Sequence, residues 1–229
     1  MIIKGLQKTS LIDWEGKIVA TVFTAGCNFR CPYCHNSKLV KKNSSLPNIP
    51  EEKILDFFKK RKKWLDGVCI TGGEPTIHKD LLSFIKKIKE LGFLVKLDTN
   101  GTNPDIISKG IKKGLIDYIA MDIKAPLKKY PFVIKTDFDL DKIKKSVDLV
   151  KKFEPNYEFR TTAVPKLLSK EDFIKIGKWL QVAQRYYLQN FKNEKTLDSS
   201  FESIDPYSEQ ELKEFALSLE PYFHEVYVR

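Results

Sequence analysis

The sequence contains no apolar run long enough to cross a membrane, since a run such as Ile18 to Phe23 has only the length of a strand. It shows no secretory signal, because Met1-Ile2-Ile3-Lys4 leads directly into polar sequence. Cysteine is scarce, with four residues, and free thiols fit a reducing compartment better than a disulfide framework does. These absences predict a cytoplasmic protein with no membrane partner.

Arginine is also scarce, although the formal net charge is +10. A clustered basic face would attract nucleic acid by counterion release. However, arginine, the usual residue for forked contacts to bases and phosphates, occurs only five times, and the lysines are spread along predicted helices. We therefore expect solvated helix faces and no nucleic-acid partner.

Three of the four cysteines fall within eight residues, at Cys27, Cys31 and Cys34. Soft thiolates at this C-x3-C-x2-C spacing can surround one metal centre, and they select zinc or an iron-sulfur cluster. A structural zinc site has a fourth ligand, but no second C-x2-C or H-x3-H pattern follows here. The open fourth ligand position favours a catalytic metal centre over a structural one. The remaining cysteine, Cys69, lies within an apolar strand and is expected to be buried.

Strands and helices alternate along most of the chain, which predicts parallel βαβ units with right-handed crossovers. We expect one domain over 1–229, with a lead-in hairpin at 1–17, six βα units at 18–191 and a C-terminal helix and strand at 192–229. Such units form a partial barrel or an open doubly wound sheet. The first predicted helix, Glu51 to Leu65, is expected to bury Trp64, and Asn103 is expected to cap the helix that starts at Pro104.

Unusual polar residues follow the ends of the predicted strands. In parallel α/β folds the carboxyl edge of the sheet carries the functional site. The residues at this edge are Cys27 to Cys34, Gly72 to Glu74, Asp98 to Gly101, Asp122, Lys124, Arg160 to Thr162 and Gln189.

Together with the cysteines, the segments GGEP, DTNG, MDIK and RTTAVP make the chain resemble the radical S-adenosylmethionine superfamily. The segments KTSLIDWEGK and CNFRCPYCHN more narrowly resemble the activases of glycyl-radical enzymes, in particular those of anaerobic ribonucleoside-triphosphate reductase. The resemblance implies a partial (β/α)6 barrel of parallel strands. It also implies that Cys27, Cys31 and Cys34 ligate three irons of a [4Fe-4S] cluster, and that S-adenosylmethionine binds the fourth.

The resemblance gives roles to the other residues at this edge. Gly72 and Gly73 would let the backbone approach S-adenosylmethionine, and Glu74 would bind its amino group, although GGEP alone could be an ordinary turn. Arg160 would bind the same ligand or form a structural ion pair. The further cofactor-binding candidates are Tyr33, Asn100, Lys124 and Gln189, the last of which stands where pyruvate formate-lyase activases have a histidine.

A monovalent cation is a further implication of the resemblance. Asp98, Thr99 and Asp122 would bind it beside the methionine carboxylate, as hard oxygen ligands suit a hard cation. The alternative is that Asp98 and Asp122 cap helices or accept ribose hydroxyl groups.

Three functions remain open at this point. The first is an activase that takes an electron from a low-potential donor such as flavodoxin or ferredoxin and forms a glycyl radical in a partner, expected to be anaerobic ribonucleotide reductase. The second is radical chemistry on RNA or a nucleobase precursor, suggested by the basic charge. The third is a non-catalytic metal-cluster binding module.

Overall fold

The structure, a computed structural model, describes residues 1–42 and 45–229. Eight strands follow chain order in one sheet, from β1 to β8. Strand β1 is antiparallel to β2, whereas β2, β3 and β4 pair in parallel, as do β6, β7 and β8. The strands are β1 (Ile3–Ser10), β2 (Val19–Thr24), β3 (Gly67–Gly72), β4 (Leu94–Thr99), β5 (Tyr118–Asp122), β6 (Tyr157–Ala163), β7 (Ala183–Asn190) and β8 (Phe223–Val228).

Eight α-helices are present in the described residues. Most follow a strand, as expected for βα units, and the last one precedes β8. They are α1 (Ser37–Val40), α2 (Glu51–Arg61), α3 (Leu81–Glu90), α4 (Pro104–Lys112), α5 (Tyr130–Ile134), α6 (Leu140–Lys151), α7 (Lys170–Leu180) and α8 (Glu209–Leu219).

The chain divides into two compact units. The first contains residues 1–28 and 38–120 and includes β1 to β4. Helix α3 shows how its core forms, because Leu81, Phe84, Ile85 and Ile88 recur at helical spacing and are all fully buried. The register pairs Thr24 with Gly72, so β2 and β3 end side by side.

The second unit contains residues 29–37 and 121–229 and includes β6 to β8. The register pairs Arg160 with Tyr187 and Thr162 with Gln189, which aligns the carboxyl ends of β6 and β7. The rings of Tyr187 and Tyr227 stack at 4.9 Å between centroids on the neighbouring strands β7 and β8.

The predicted fold class is confirmed: parallel strands follow chain order, and the edge strands β1 and β8 are not neighbours in the sheet order of the described residues. This is the strand order of an open βα barrel. The lead-in and the tail extend the six predicted strands, since β1 and β8 join the sheet at its two edges. The single domain over 1–229 stays a prediction.

Two local expectations are wrong. Helix α2 ends at Arg61, four residues early, and Trp64 is therefore 69% exposed. Asn103 precedes α4, but its side chain makes no capping hydrogen bond and instead donates to the carbonyl oxygen of Thr76 at 2.9 Å.

None of the helices in the described part of the chain is both long and apolar enough to span a membrane.

Candidate active site

The backbone around Cys27 is fixed within the first unit. Gly26 N–H donates to Leu39 O at 2.7 Å, and Cys27 N–H donates to Val40 O at 2.9 Å. The side chain of Asn100 lies against this segment, with its Nδ2 4.0 Å from Cys27 Sγ and 2.9 Å from Asn28 Oδ1. A predicted cofactor-binding residue thus contacts a predicted cluster ligand.

The segment carrying Cys31 and Cys34 belongs to the second unit. It is held by backbone hydrogen bonds from Arg30 N–H to Ile134 O and from Asp198 N–H to Pro32 O, both at 2.9 Å. Cys34 N–H also donates to Cys31 O at 3.1 Å. These bonds fix the backbone that carries the two thiols.

Burial opposes ionisation of the Cys31 and Cys34 thiols in the absence of a metal. Burial raises the pKa of Cys31 to about 11, although the Lys124 ammonium acts to lower it. Burial also raises the pKa of Cys34, against the same ammonium. Metal binding requires thiolates and would therefore release protons.

The side chains of Cys27, Cys31 and Cys34 are of the type that binds an iron-sulfur cluster. None of the four cysteines forms a disulfide, and Cys27 and Cys34 are only partly buried. Thiolates are the usual ligands of such clusters. Cys69 is fully buried within β3, as predicted, and packs with Trp14 and Tyr118.

Gly72 and Gly73 allow close approach between two backbone segments of the first unit. Gly72 has a φ of +116°, and a Cβ there would lie 2.4 Å from Thr24 O. A Cβ on Gly73 would lie 2.1 Å from Gly26 O. The glycines thus let the backbone of Thr24 and Gly26 approach closely, and the approach to a ligand that the sequence predicted stays a prediction.

Glu74 is 1% exposed and accepts four hydrogen bonds. Its Oε1 accepts from Thr76 N–H at 3.1 Å, from the Thr76 hydroxyl at 2.5 Å and from the Thr99 hydroxyl at 2.7 Å. Its Oε2 accepts from Asn100 N–H at 2.6 Å. Burial raises the pKa of Glu74, and these hydrogen bonds act to lower it. The side chain therefore ties the turn after β3 to the end of β4.

Asp98 lies beside Lys96, a buried residue that was not among the predicted site residues. Lys96 is 1% exposed, and its Nζ lies 4.0 Å from Asp98 Oδ1. The same ammonium donates to Asp13 O at 2.7 Å and lies 5.3 Å from the centroid of the Tyr118 ring. The signal was the strand alternation in β4, which puts Lys96 on the same side as Asp98.

Asp122 forms the centre of a charged group in the second unit. Its Oδ1 accepts from Arg160 Nε at 2.8 Å and its Oδ2 from Lys124 Nζ at 3.0 Å. Burial acts to raise the pKa of Asp122, but the two cations outweigh it and hold this pKa at about 2. The structural ion pair considered for Arg160 is thus present.

Lys124 connects this group electrostatically to the cysteine segment. Burial acts to lower the pKa of Lys124, but Asp122, Tyr33 and Cys31 outweigh it, so the pKa lies well above its usual range. Tyr33 is 5% exposed, and burial raises the pKa of its hydroxyl. Lys124 is therefore a permanent positive charge that acts on both Cys31 and Tyr33.

The structure thus groups most of the predicted site residues within one unit or the other. The first unit brings together Cys27, Gly72, Gly73, Glu74, Thr99 and Asn100, and the second brings together Cys31, Tyr33, Cys34, Asp122, Lys124 and Arg160. Gln189 is partly buried and is paired with Thr162 in the β6–β7 register.

Two comparisons with known sequences bear on these residues. A relative from Methanocaldococcus jannaschii, named as a proposed glycyl-radical enzyme activating enzyme, is 36% identical over 236 residues, covering 100% of this chain and 95% of its own length. A second relative of that name from the same organism is 31% identical over 183 residues, covering 78% of this chain and 68% of its own.

Among solved structures, SuiB of Streptococcus suis bound to S-adenosylmethionine superposes with a TM-score of 0.62 at 14% identity. The superposition covers 90% of this chain and 48% of SuiB, so this chain spans about half of that protein. At this identity the likeness concerns the fold alone. The sequence model of the Radical SAM superfamily matches residues 21–180, which include all three clustered cysteines, GGEP and DTNG. The chain therefore belongs to the radical SAM superfamily and is a radical SAM enzyme.

Proposed function

We propose that this enzyme activates a glycyl-radical enzyme by removing a hydrogen atom from one of its glycine residues. The observation that carries the proposal is the 36% identity, over the whole chain, to a relative named as a proposed activating enzyme of this kind. The arrangement of Cys31 and Cys34 beside the fixed charge of Lys124 is compatible with it.

Cys27, Cys31 and Cys34 would hold the [4Fe-4S] cluster that the family implies. When bound, the cluster and S-adenosylmethionine supply one-electron cleavage of a carbon-sulfur bond, giving methionine and a 5'-deoxyadenosyl radical. The electron would come from a flavodoxin or ferredoxin. Hydrogen transfer from the partner's glycine would then give 5'-deoxyadenosine and leave a glycyl radical on the partner.

The protein's own residues would orient the substrate. Lys124 and Arg160 are partly exposed cations, at 18% and 11% of their side-chain surface, and both suit a carboxylate such as that of methionine. Gln189 at the end of β7 would hydrogen-bond the ribose. The contact between Glu74 and the amino group of S-adenosylmethionine stays a prediction.

Anaerobic ribonucleotide reductase is the partner that we infer for this reaction. The supporting observation is the resemblance of KTSLIDWEGK and CNFRCPYCHN to the activases of that enzyme. The enzyme would work in the cytoplasm, without a membrane or nucleic-acid partner.

The proposal is tested by electron paramagnetic resonance of the reconstituted enzyme. Anaerobic mixing with reductant, S-adenosylmethionine and an anaerobic ribonucleotide reductase should give the doublet of a glycyl radical. Formation of 5'-deoxyadenosine without this doublet, with any glycyl-radical enzyme supplied, would contradict the activase function.

A matched pair of cysteine variants provides the control. Cys31→Ala should lose iron, acid-labile sulfide and the doublet, while Cys69→Ala should keep all three, because Cys69 is a buried packing residue of β3.

The alternative substrate, RNA, is tested by measuring RNA binding to the same protein. RNA retention at low salt that falls steeply with added salt would favour that alternative.

A further inference from the structure

The resemblance to related activases implies a monovalent cation held by Asp98, Thr99 and Asp122, and each of these ligands can be judged within its own unit. In the first unit, Asp98 Oδ1 lies 4.0 Å from Lys96 Nζ, which is the distance of a long ion pair. Lys96 is 1% exposed, and its hydrogen bond to Asp13 O at 2.7 Å keeps the ammonium in place. Asp98 therefore has a built-in counter-ion.

Thr99 is a poor cation ligand for a different reason. Its hydroxyl donates to Glu74 Oε1 at 2.7 Å and accepts from Gly101 N–H at 3.1 Å. Both contacts are buried, and Thr99 itself is 2% exposed. A cation on this oxygen would compete with the Gly101 contact or share the hydroxyl's remaining lone pair.

In the second unit, Asp122 already has two cationic partners. Arg160 Nε and Lys124 Nζ lie 2.8 Å and 3.0 Å from its two oxygens. Arg160 also lies 3.9 Å from Glu158 Oε1, which Arg229 approaches at 4.0 Å. Two carboxylates thus face three cations, and this local excess of positive charge repels a further cation.

We propose that S-adenosylmethionine binds equally well to this enzyme without a monovalent cation, because Lys96 in the first unit supplies positive charge at Asp98, and Lys124 and Arg160 in the second supply it at Asp122. Lys96 is then a positioning residue, since it acts through Asp98. This inference rests on the proposed use of S-adenosylmethionine at these residues. Its chemical basis is that ammonium and guanidinium groups fixed by the fold supply the positive charge that related enzymes are expected to recruit from solution.

The test measures binding of S-adenosylmethionine to the anaerobically reconstituted enzyme without reductant, so that no turnover occurs. The dissociation constant is compared in potassium, sodium and tetramethylammonium chloride at equal ionic strength. We expect agreement within about twofold, since loss of a charge-assisted contact would change affinity by roughly tenfold or more. A weakening of about tenfold in tetramethylammonium that potassium or sodium reverses would overturn the inference.

A variant adds a second, independent result. Lys96→Met removes the ammonium and keeps much of the side-chain length, so affinity in tetramethylammonium should fall by about tenfold and potassium should restore part of it. Lys86→Met, at a side chain 70% exposed on α3, is the matched control and should behave as wild type. If Lys96→Met fails to fold, the salt comparison on the wild-type enzyme still tests whether binding of S-adenosylmethionine depends on a monovalent cation.

The outcomes separate this inference from the proposed function. Binding that requires potassium or sodium would refute cation independence and leave the activase proposal standing. Absence of S-adenosylmethionine binding in every salt would refute both.

Discussion

Replacing Glu74 with glutamine tests whether this carboxylate holds the turn after β3 against the end of β4. Glutamine keeps one carbonyl oxygen, which can still accept from Thr76 and Thr99 at the position of Oε1. Its amide nitrogen then replaces Oε2 and faces Asn100 N–H, a donor that now lies 2.6 Å from the carboxylate. The glutamine amide N–H and the Asn100 N–H, both donors, would then face each other at a buried position.

The magnitude follows from the lost contact. A hydrogen bond to a charged group contributes about 1.5–3 kcal/mol, and a buried donor left without an acceptor costs about 1–3 kcal/mol. These terms overlap, so we expect Glu74→Gln to lower the free energy of unfolding by about 2–3 kcal/mol. For a chain of this length, each kcal/mol corresponds to about 2–4 °C in Tm. The variant should therefore melt roughly 4–12 °C lower.

The assay is urea and thermal unfolding of the cluster-free protein, followed by circular dichroism. The matched control is Glu90→Gln, whose side chain is 62% exposed and pairs only loosely with Lys86 at 3.8 Å. This control should change stability by less than about 0.5 kcal/mol, because exposed pairs contribute little. Equal stability of the two variants would refute the argument that Glu74 joins the two strand ends.

Two further predictions concern the charged group and the glycine turn. Asp122→Asn should destabilise the protein by about 2 kcal/mol at pH 7, because a carboxyl pKa lowered from 3.8 to about 2 stabilises the fold above pH 4. This difference should shrink as the pH falls from 4 towards 2, where the wild-type carboxylate is protonated too, and a difference unchanged across pH titrations of urea unfolding would disprove it. Gly73→Ala should prevent folding or lower Tm by well over 5 °C, since its Cβ would lie 2.1 Å from Gly26 O. The control Gly114→Ala has φ +61° and no atom within 4 Å of the added Cβ, so it carries backbone strain without a steric clash and should lower Tm by less in the same melting experiment.

The sequence predicted which of the candidate residues lie where a strand ends. Parallel strands bring their carboxyl ends to one edge, so Gly72, Thr99 and Asp122 could be placed from strand periodicity alone. Cys69 was also predicted correctly, because an apolar strand with a small thiol is typical of a core.

The partners of these residues could not be predicted. Lys96 belongs to a strand that the sequence identifies, yet its burial depends on Asp13, which lies 83 residues away along the chain. The hydrogen bonds that Glu74 accepts from Thr99 and Asn100 could not be predicted, because these donors become its neighbours only when β3 and β4 are aligned. Trp64 was placed on a buried helix face because the sequence carries no strong stop signal at Arg61.

The contact between Lys96 and Asp13 also constrains the order in which the chain can fold. Asp13 further accepts the Thr21 hydroxyl, and the neighbouring Trp14 packs on Tyr118 with ring centroids 5.6 Å apart. Every one of these contacts except that with Thr21 lies at long sequence separation, and such contacts form late because the intervening chain must first close into a loop. During synthesis, Trp14 leaves the ribosome before Tyr118 exists, so the part of its indole that packs on Tyr118 stays uncovered until the fifth strand is made.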